Sequence, residues 1–228
     1  TLVSGQAVTP VLTNLPVGTT NVTATYTPTD GVHASSSGLF TQTVNKADTT
    51  TTIGSSANPS TAGIPLTFTA TVIAVAPGAG TPTGTVNFVI DDGSPMPAML
   101  SGGVATLPGV SLGVGTHSVV AEYQGNNDFN GSNSMTLTQV VNGFATTTTL
   151  SSSANPSVFG QPVSFTATVS AGPNGTPTGQ VQFGVDGANV GGPVTVSGGA
   201  ATAVDSAMAI GTHTVTVGAD TPALDFTL

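Results

Sequence analysis

The sequence predicts an all-β chain of antiparallel β-sandwiches in tandem. Three observations predict it. Short phrases return in the same order at nearly constant spacing. Between them, apolar residues alternate with threonine and serine at a period of two, the signature of a strand with one buried and one wet face. Gly-, Pro- and Asn-rich turn signals separate the alternating runs, and no window carries a helical period.

The repeat comes first because it organises everything else. The run Thr49–Thr52 returns at Thr146–Thr149, and the phrase SSANPS at Ser55–Ser60 returns letter for letter at Ser152–Ser157, both 97 residues on. GTPTG at 80–84 returns at 175–179, SGG at 101–103 at 197–199, and GTH at 115–117 at 211–213. The N-terminal segment belongs to the same series. SGQAVT at 4–9 matches SGGVAT at 101–106, VGTT at 17–20 matches VGTH at 114–117, Tyr26 matches Tyr123 and Gln42 matches Gln139. Residues 1–46 therefore read as the C-terminal half of one repeat, 47–142 as a complete repeat, and 143–228 as a third whose last strand is altered or incomplete.

The strands follow in order. Leu66, Phe68, Ala70 and Val72 alternate with threonines, as do Val163, Phe165, Ala167 and Val169 with Ser164, Thr166 and Thr168. Val86, Phe88 and Ile90 form a second face, matched by Val181, Phe183 and Val185; Val119, Ala121 and Tyr123 form a third. β-Branched residues suit a pleated, half-buried surface. Pro59 and Pro156 lack an N–H, so SSANPS is expected to interrupt pairing and let the chain change its partner strand. Asp91–Ser94 reads as a hairpin turn, and Phe129 in the Asx-rich loop as folded back onto the sandwich end. Seven or so short strands per repeat of about 96 residues predict a sandwich of immunoglobulin type. With no cysteine and no tryptophan, its core must be aliphatic plus Phe.

These landmarks in this order (TTTT, SSANPS, GTPTG-x-V-x-F, SGG-x-A-T, GTH-x-V and Y-x-G-N-x-D-F-x-G-S) resemble the bacterial Ig-like domain repeats of large surface and secreted proteins. The resemblance covers nearly the whole chain. It implies a modular, extracellular, non-catalytic structural role and no particular ligand.

Composition narrows the function classes. One lysine, no arginine and ten acidic residues give a net charge of −9. Such a chain has nothing with which to neutralise phosphates, which excludes nucleic acid and an anionic membrane surface. No apolar run approaches the length of a spanning helix, so no membrane insertion is expected in this segment. Charged residues are 5% of the chain, so its surface is Thr, Ser, Asn, Gln and Gly. Edge strands are usually guarded by charge, especially Lys; here that guard is weak.

No catalytic, cofactor-binding or metal residue is assigned, no cofactor is expected, and the chain is read as a non-enzyme. His117 and His213 fall at equivalent positions, where the first repeat has Thr20, and are taken as strand-edge packing sites. His33 is taken to lie in a loop with no carboxylate pattern around it. Asp91 and Asp92 are two adjacent carboxylates, fewer ligands than the six to eight oxygens calcium needs. Lys46 is the only lysine; a cross-link to Asn would need it buried beside an acid. Asn21, Asn130 and Asn174 fit the glycosylation sequon, which a bacterial protein usually leaves unused.

The junctions, within TQTVNKADTTTT at 41–52 and at about Asn142–Ala145, hold no long Gly/Ser tract, and Phe144 is available to pack between modules, which favours a stiff array. Three readings of the ends stand open: a window cut from a longer array, a short final strand at Ala223–Leu228 after a turn at Asp220–Pro222, and completion of the N-terminal half by strands of another copy. The expected function is an extracellular structural repeat protein, secreted or at the cell surface. It is read as a stiff stalk or filament-forming subunit whose partners are copies of itself or adjacent repeats. The alternative is an adhesin segment that grips a glycan or protein ligand through its loops.

Overall fold

The computed structural model describes residues 2, 4–12, 15–206 and 208–219. The chain divides into two compact units, Thr1–Asn142 and Gly143–Leu228. Strands dominate both, and the helical content among the described residues is one 3-10 turn at Gly172–Asn174.

The first unit opens with a hairpin of β1 (Gly18–Tyr26) and β2 (Ser36–Val44), antiparallel along their whole length. A sandwich of nine strands follows: β3 (Thr49–Ser55), β4 (Ser60–Thr61), β5 (Leu66–Ala74), β6 (Thr85–Ile90), β7 (Met96–Met99), β8 (Val104–Val110), β9 (Gly115–Tyr123), β10 (Ser132–Asn133) and β11 (Leu137–Asn142). One sheet has the order β3-β5-β8. The other has the order β4-β11-β9-β6-β7, with β10 also on β9.

The second unit repeats the plan. Its strands are β12 (Thr147–Ser152), β13 (Val163–Ser170), β14 (Gly179–Val185), β15 (Ala188–Asn189), β16 (Val194–Val196), β17 (Ala200–Asp205) and β18 (Val215–Ala219). The sheets are β12-β13-β17 and β15-β14-β16, with β18 on β14. The expected final strand at Ala223–Leu228 lies outside the described residues.

The cores are the predicted alternating faces. Leu66, Phe68, Ala70 and Val72 of β5 are buried against Val86 and Phe88 of β6, Ala105 of β8, and Val119, Ala121 and Tyr123 of β9. Phe129 closes the end of this core from its loop, as expected. In the second unit Val163, Phe165 and Ala167 meet Val181, Phe183, Val196, Ala201 and Val217. Two sheets each hiding one face in this way make a β-sandwich.

Several recurring phrases have local physical causes. SGG makes the tight turn before β8 and again before β17, with both glycines at positive φ in each copy. Gly103 O accepts Val72 N, and Gly199 O accepts Val169 N, each at 2.8 Å. A Cβ at Gly103 would come within 3.0 Å of Val72 O, so this close approach requires glycine. In the four-threonine run of the first sandwich, Thr49 and Thr51 turn inward, and each hydroxyl lies 2.8 Å from the Ser132 hydroxyl of β10.

Candidate functional site

Two constructions recur in this chain and concentrate its polar contacts: the SSANPS corner and a histidine–aspartate pair.

The corner does what its prolines predict. β3 lies in one sheet and β4 in the other, and the chain crosses between them at Ala57-Asn58-Pro59, where the Asn58–Pro59 peptide is cis. What the phrase holds was not legible from it. The Asn58 amide bridges two backbone groups of β11: Nδ2 donates to Thr138 O at 2.7 Å, and Oδ1 accepts Val140 N at 3.0 Å. β4 then pairs in parallel with the end of β11, Val141 against Ser60 and Asn142 against Thr61. From β11, the fully buried Gln139 reaches back with Nε2 to Ala57 O at 2.9 Å and Ser60 Oγ at 3.2 Å, and also donates to Val140 O. Its Oε1 has no hydrogen-bond partner among the described residues. Three donor contacts, two of them to carbonyls, fix which end of the amide faces the corner. Asn58 and Gln139 together form a clamp on the last strand.

The second copy of the corner has the same residues and a cis Asn155–Pro156 peptide. Asn155 is exposed, as Asn58 is, but Ser157 is exposed where Ser60 is buried. Among the described residues no strand pairs with Ser157–Val158 or with the second edge of β18. A groove of about 640 Å³ runs between this corner and the segment Met208–His213 that leads into β18, with Phe165, Met208 and Val215 in its apolar wall and Asn155, Ser157 and His213 on its rim.

The hairpin shows the complementary situation. Thr20 faces Gln42 across β1 and β2, the register in which His117 faces Gln139 across β9 and β11. The five pairs of Gly18–Val22 with Phe40–Val44 thus map one for one onto the five pairs of β9 with β11. Val119, the counterpart of Val22, is wholly buried, while Val22 is 38% exposed; Phe40, the counterpart of Leu137, is 65% exposed. None of the described residues from 2 to 46 is buried.

The histidines differ from expectation. His117 and His213 are not simple packing residues. In each, Nδ1 lies 2.7 Å from a carboxylate oxygen, of Asp91 or Asp186, and Nε2 lies 3.1 Å from a backbone carbonyl, of Gly113 or Ala209. The other carboxylate oxygen accepts the backbone N–H of Ser118 or Thr214. Asp91 and Asp186 sit in hairpin turns at φ near 50°, and in the first turn the positive φ falls on Asp91 and Asp92 rather than on Gly93. Two acceptors facing one ring suit the doubly protonated imidazolium. The bond to Asp91 chiefly, then that to Gly113 O, raises His117 above the ordinary histidine value. Asp186, then Ala209 O, raises His213. Asp91 and Asp186 are lowered, first by their histidines and then by the backbone N–H groups. The signal available in the sequence was the joint recurrence of Asp91 with His117 and Asp186 with His213. His33 also has a carboxylate partner, Asp30, three residues earlier, contrary to expectation.

Lys46 is exposed, and its ammonium donates to Asn126 O at 2.6 Å. Of the sequon asparagines, Asn21 accepts the Thr41 hydroxyl and Asn130 donates to Asp48. Among the described residues no three His, Asp or Glu side chains gather as a metal site would require, and no helix is long and apolar enough to cross a membrane.

Two β-sandwiches built on the same recurring phrases give the chain an immunoglobulin-like fold. It belongs to the bacterial Ig-like domain (group 3) family, whose model matches residues 51–142 and 150–218. Among solved structures it is similar to the fibronectin(III)-like modules of Clostridium thermocellum CbhA. That match has 22% identity over 74% of this chain and 84% of that one, with a TM-score of 0.31. No curated protein matches the chain.

Proposed function

We propose that the chain is a non-enzymatic structural segment of an extracellular or cell-surface protein. Its sandwiches act as spacers, and its copies are able to join by exchanging strands. The observation that carries this reading is the pairing of opposites in one chain: a strand hairpin with its inner face exposed, and a sandwich whose strand-holding corner is unfilled among the described residues. Supporting it, β11 and β12 are separated only by Gly143–Thr146, too few residues for a flexible tether. A surface nearly free of lysine and arginine also offers trypsin-like proteases a single cleavage site, which suits exposure outside a cell.

Electron microscopy of the purified chain, with its mass distribution in solution, tests the reading. Periodic fibres or head-to-tail oligomers are the expected result. Monodisperse monomers that bind a defined glycan on an array would replace it with the adhesin reading, in which the loops that differ between repeats do the binding.

A further inference from the structure

We propose that the groove between Gly211–Val215 and Ser152–Ser157 is an acceptor for an extended strand, and that its occupant is Phe40–Asn45 of a second copy of this chain. The inference rests on the self-joining reading above and names the donor and the acceptor.

The first sandwich supplies the template. There the equivalent groove is filled by β11, paired to β9 from Leu137 against Val119 through Val141 against Gly115. The corner grips β11 from the other side through Asn58, Ser60 and Gln139. The second sandwich keeps the corner residue for residue, but the Asn155 amide has no hydrogen bond among the described residues. Residues Gly115–Ser118, which β11 holds as strand, correspond to Gly211–Thr214, which are not strand. The edge is thus irregular over the residues that a last strand would order.

The donor is identified by sequence. Phe40-Thr41-Gln42-Thr43-Val44-Asn45 matches Leu137-Thr138-Gln139-Val140-Val141-Asn142, with the inward positions apolar, Gln, apolar in both. Seated in the groove, Phe40 falls opposite Val215 and Gln42 opposite His213. Gln42 Nε2 then reaches Ala154 O and Ser157 Oγ, the counterparts of the groups that Gln139 holds. Among the described residues, Gln42 Nε2 in the hairpin reaches only the adjacent Thr43 O. Release of β2 is cheap, because a two-stranded ladder with no buried face is marginal by itself. Insertion exchanges the pairing with β1 for pairing with Gly211–Val215, extending β18 at its start, and adds the corner contacts and burial of Phe40 and Val44. Residues 36–45 carry no charge, so desolvating them opposes insertion little. Extended segments added to a sheet edge take affinity from main-chain bonds and specificity from alternate side chains.

The chain contains no cysteine, which makes the test clean. Val141 pairs with Ser60, so the equivalent pair is Val44 of the donor and Ser157 of the acceptor. A V44C chain mixed with an S157C chain under mild oxidation should give a heterodimer at least about tenfold above V44C mixed with T195C, an exposed site on β16. Adding N155A to the S157C chain should lower that yield severalfold. A peptide spanning residues 36–45 should move the imidazole NMR signals of His213 in the full chain and leave those of His117 in place. Equal yields with S157C and T195C would mean collision only and overturn the proposal. So would closure of a V44C/S157C double variant within one monomer, or a peptide without effect because residues after 219 fill the groove. Fibres that form while these cross-links fail would leave the structural reading standing and remove this joint from it.

Discussion

At the residue scale, the recurring imidazole bonds make a defined statement about pH. The carboxylate and carbonyl acceptors raise His117 and His213, so each histidine's contribution is fully present below about pH 6.5, the unfolded value, and fades as pH rises through the raised folded value. The aspartates are lowered, so theirs is present above about pH 4 and fades as pH falls through the lowered folded value. The two windows overlap in mildly acidic solution, where both sandwiches should be most resistant to unfolding. Asp91 is half exposed, and solvent screening keeps the effect small. Urea midpoints should therefore be higher at pH 5.5 than at pH 8.5, and the difference should shrink in a D91N/D186N variant. In D91N the NMR titration midpoint of His117 should fall toward the ordinary histidine value; an unchanged midpoint would show that the carboxylate does not hold the ring. Asp205 also raises His213, as the last of its causes.

At the scale of elements, the SSANPS corner is a strand holder, and its two copies allow a paired experiment. Asn58→Ala removes two hydrogen bonds to β11 and should destabilise the first sandwich by about 1–2 kcal/mol. Asn155→Ala removes none within the described chain and should stay within about 0.5 kcal/mol in dilute monomer. Urea unfolding followed by hydrogen exchange at β11 and β18 reads both; equal losses would mean that the second corner is already gripping a strand. The same contrast shows what a sequence exposes and what it conceals. The period-two faces of β5, β6 and β9 were plain because burial on one side of a strand is written locally. The prolines showed that pairing would be interrupted. That Asn58 would hold Thr138 and Val140 was not visible, because the partners lie some eighty residues away and meet only once the sandwich closes. Asp91 and His117 were hidden for the same reason. Each residue read alone has an ordinary explanation, a turn or a packed edge, and only the antiparallel pairing of β6 with β9 brings them together.

At the scale of the whole molecule, the single lysine divides the chain at a telling point. Trypsin-type proteases can cut only after Lys46, which separates the hairpin from the first sandwich. In the folded chain that bond is guarded. Lys46 is tied to Asn126 O, while Ala47 N donates to Asp128 O and Ala47 O accepts Asn130 N, both at 2.9 Å. A protease needs several residues extended and free, so cleavage requires local release of Ala47 from the loop that carries Phe129. The native chain should therefore resist trypsin and be cut once, at low denaturant, into fragments 1–46 and 47–228. Because none of the described residues in 2–46 is buried, the larger fragment gives up little apolar contact, and its urea midpoints should match those of the intact chain. It also loses the donor strand, so any self-association through β2 should vanish while both sandwiches remain folded. Mass spectrometry of the digest, followed by unfolding and sedimentation of fragment 47–228, separates these outcomes. A fragment that unfolds early would mean that the hairpin stabilises the sandwich. One that stays folded and still associates would place the joint between copies outside residues 1–46.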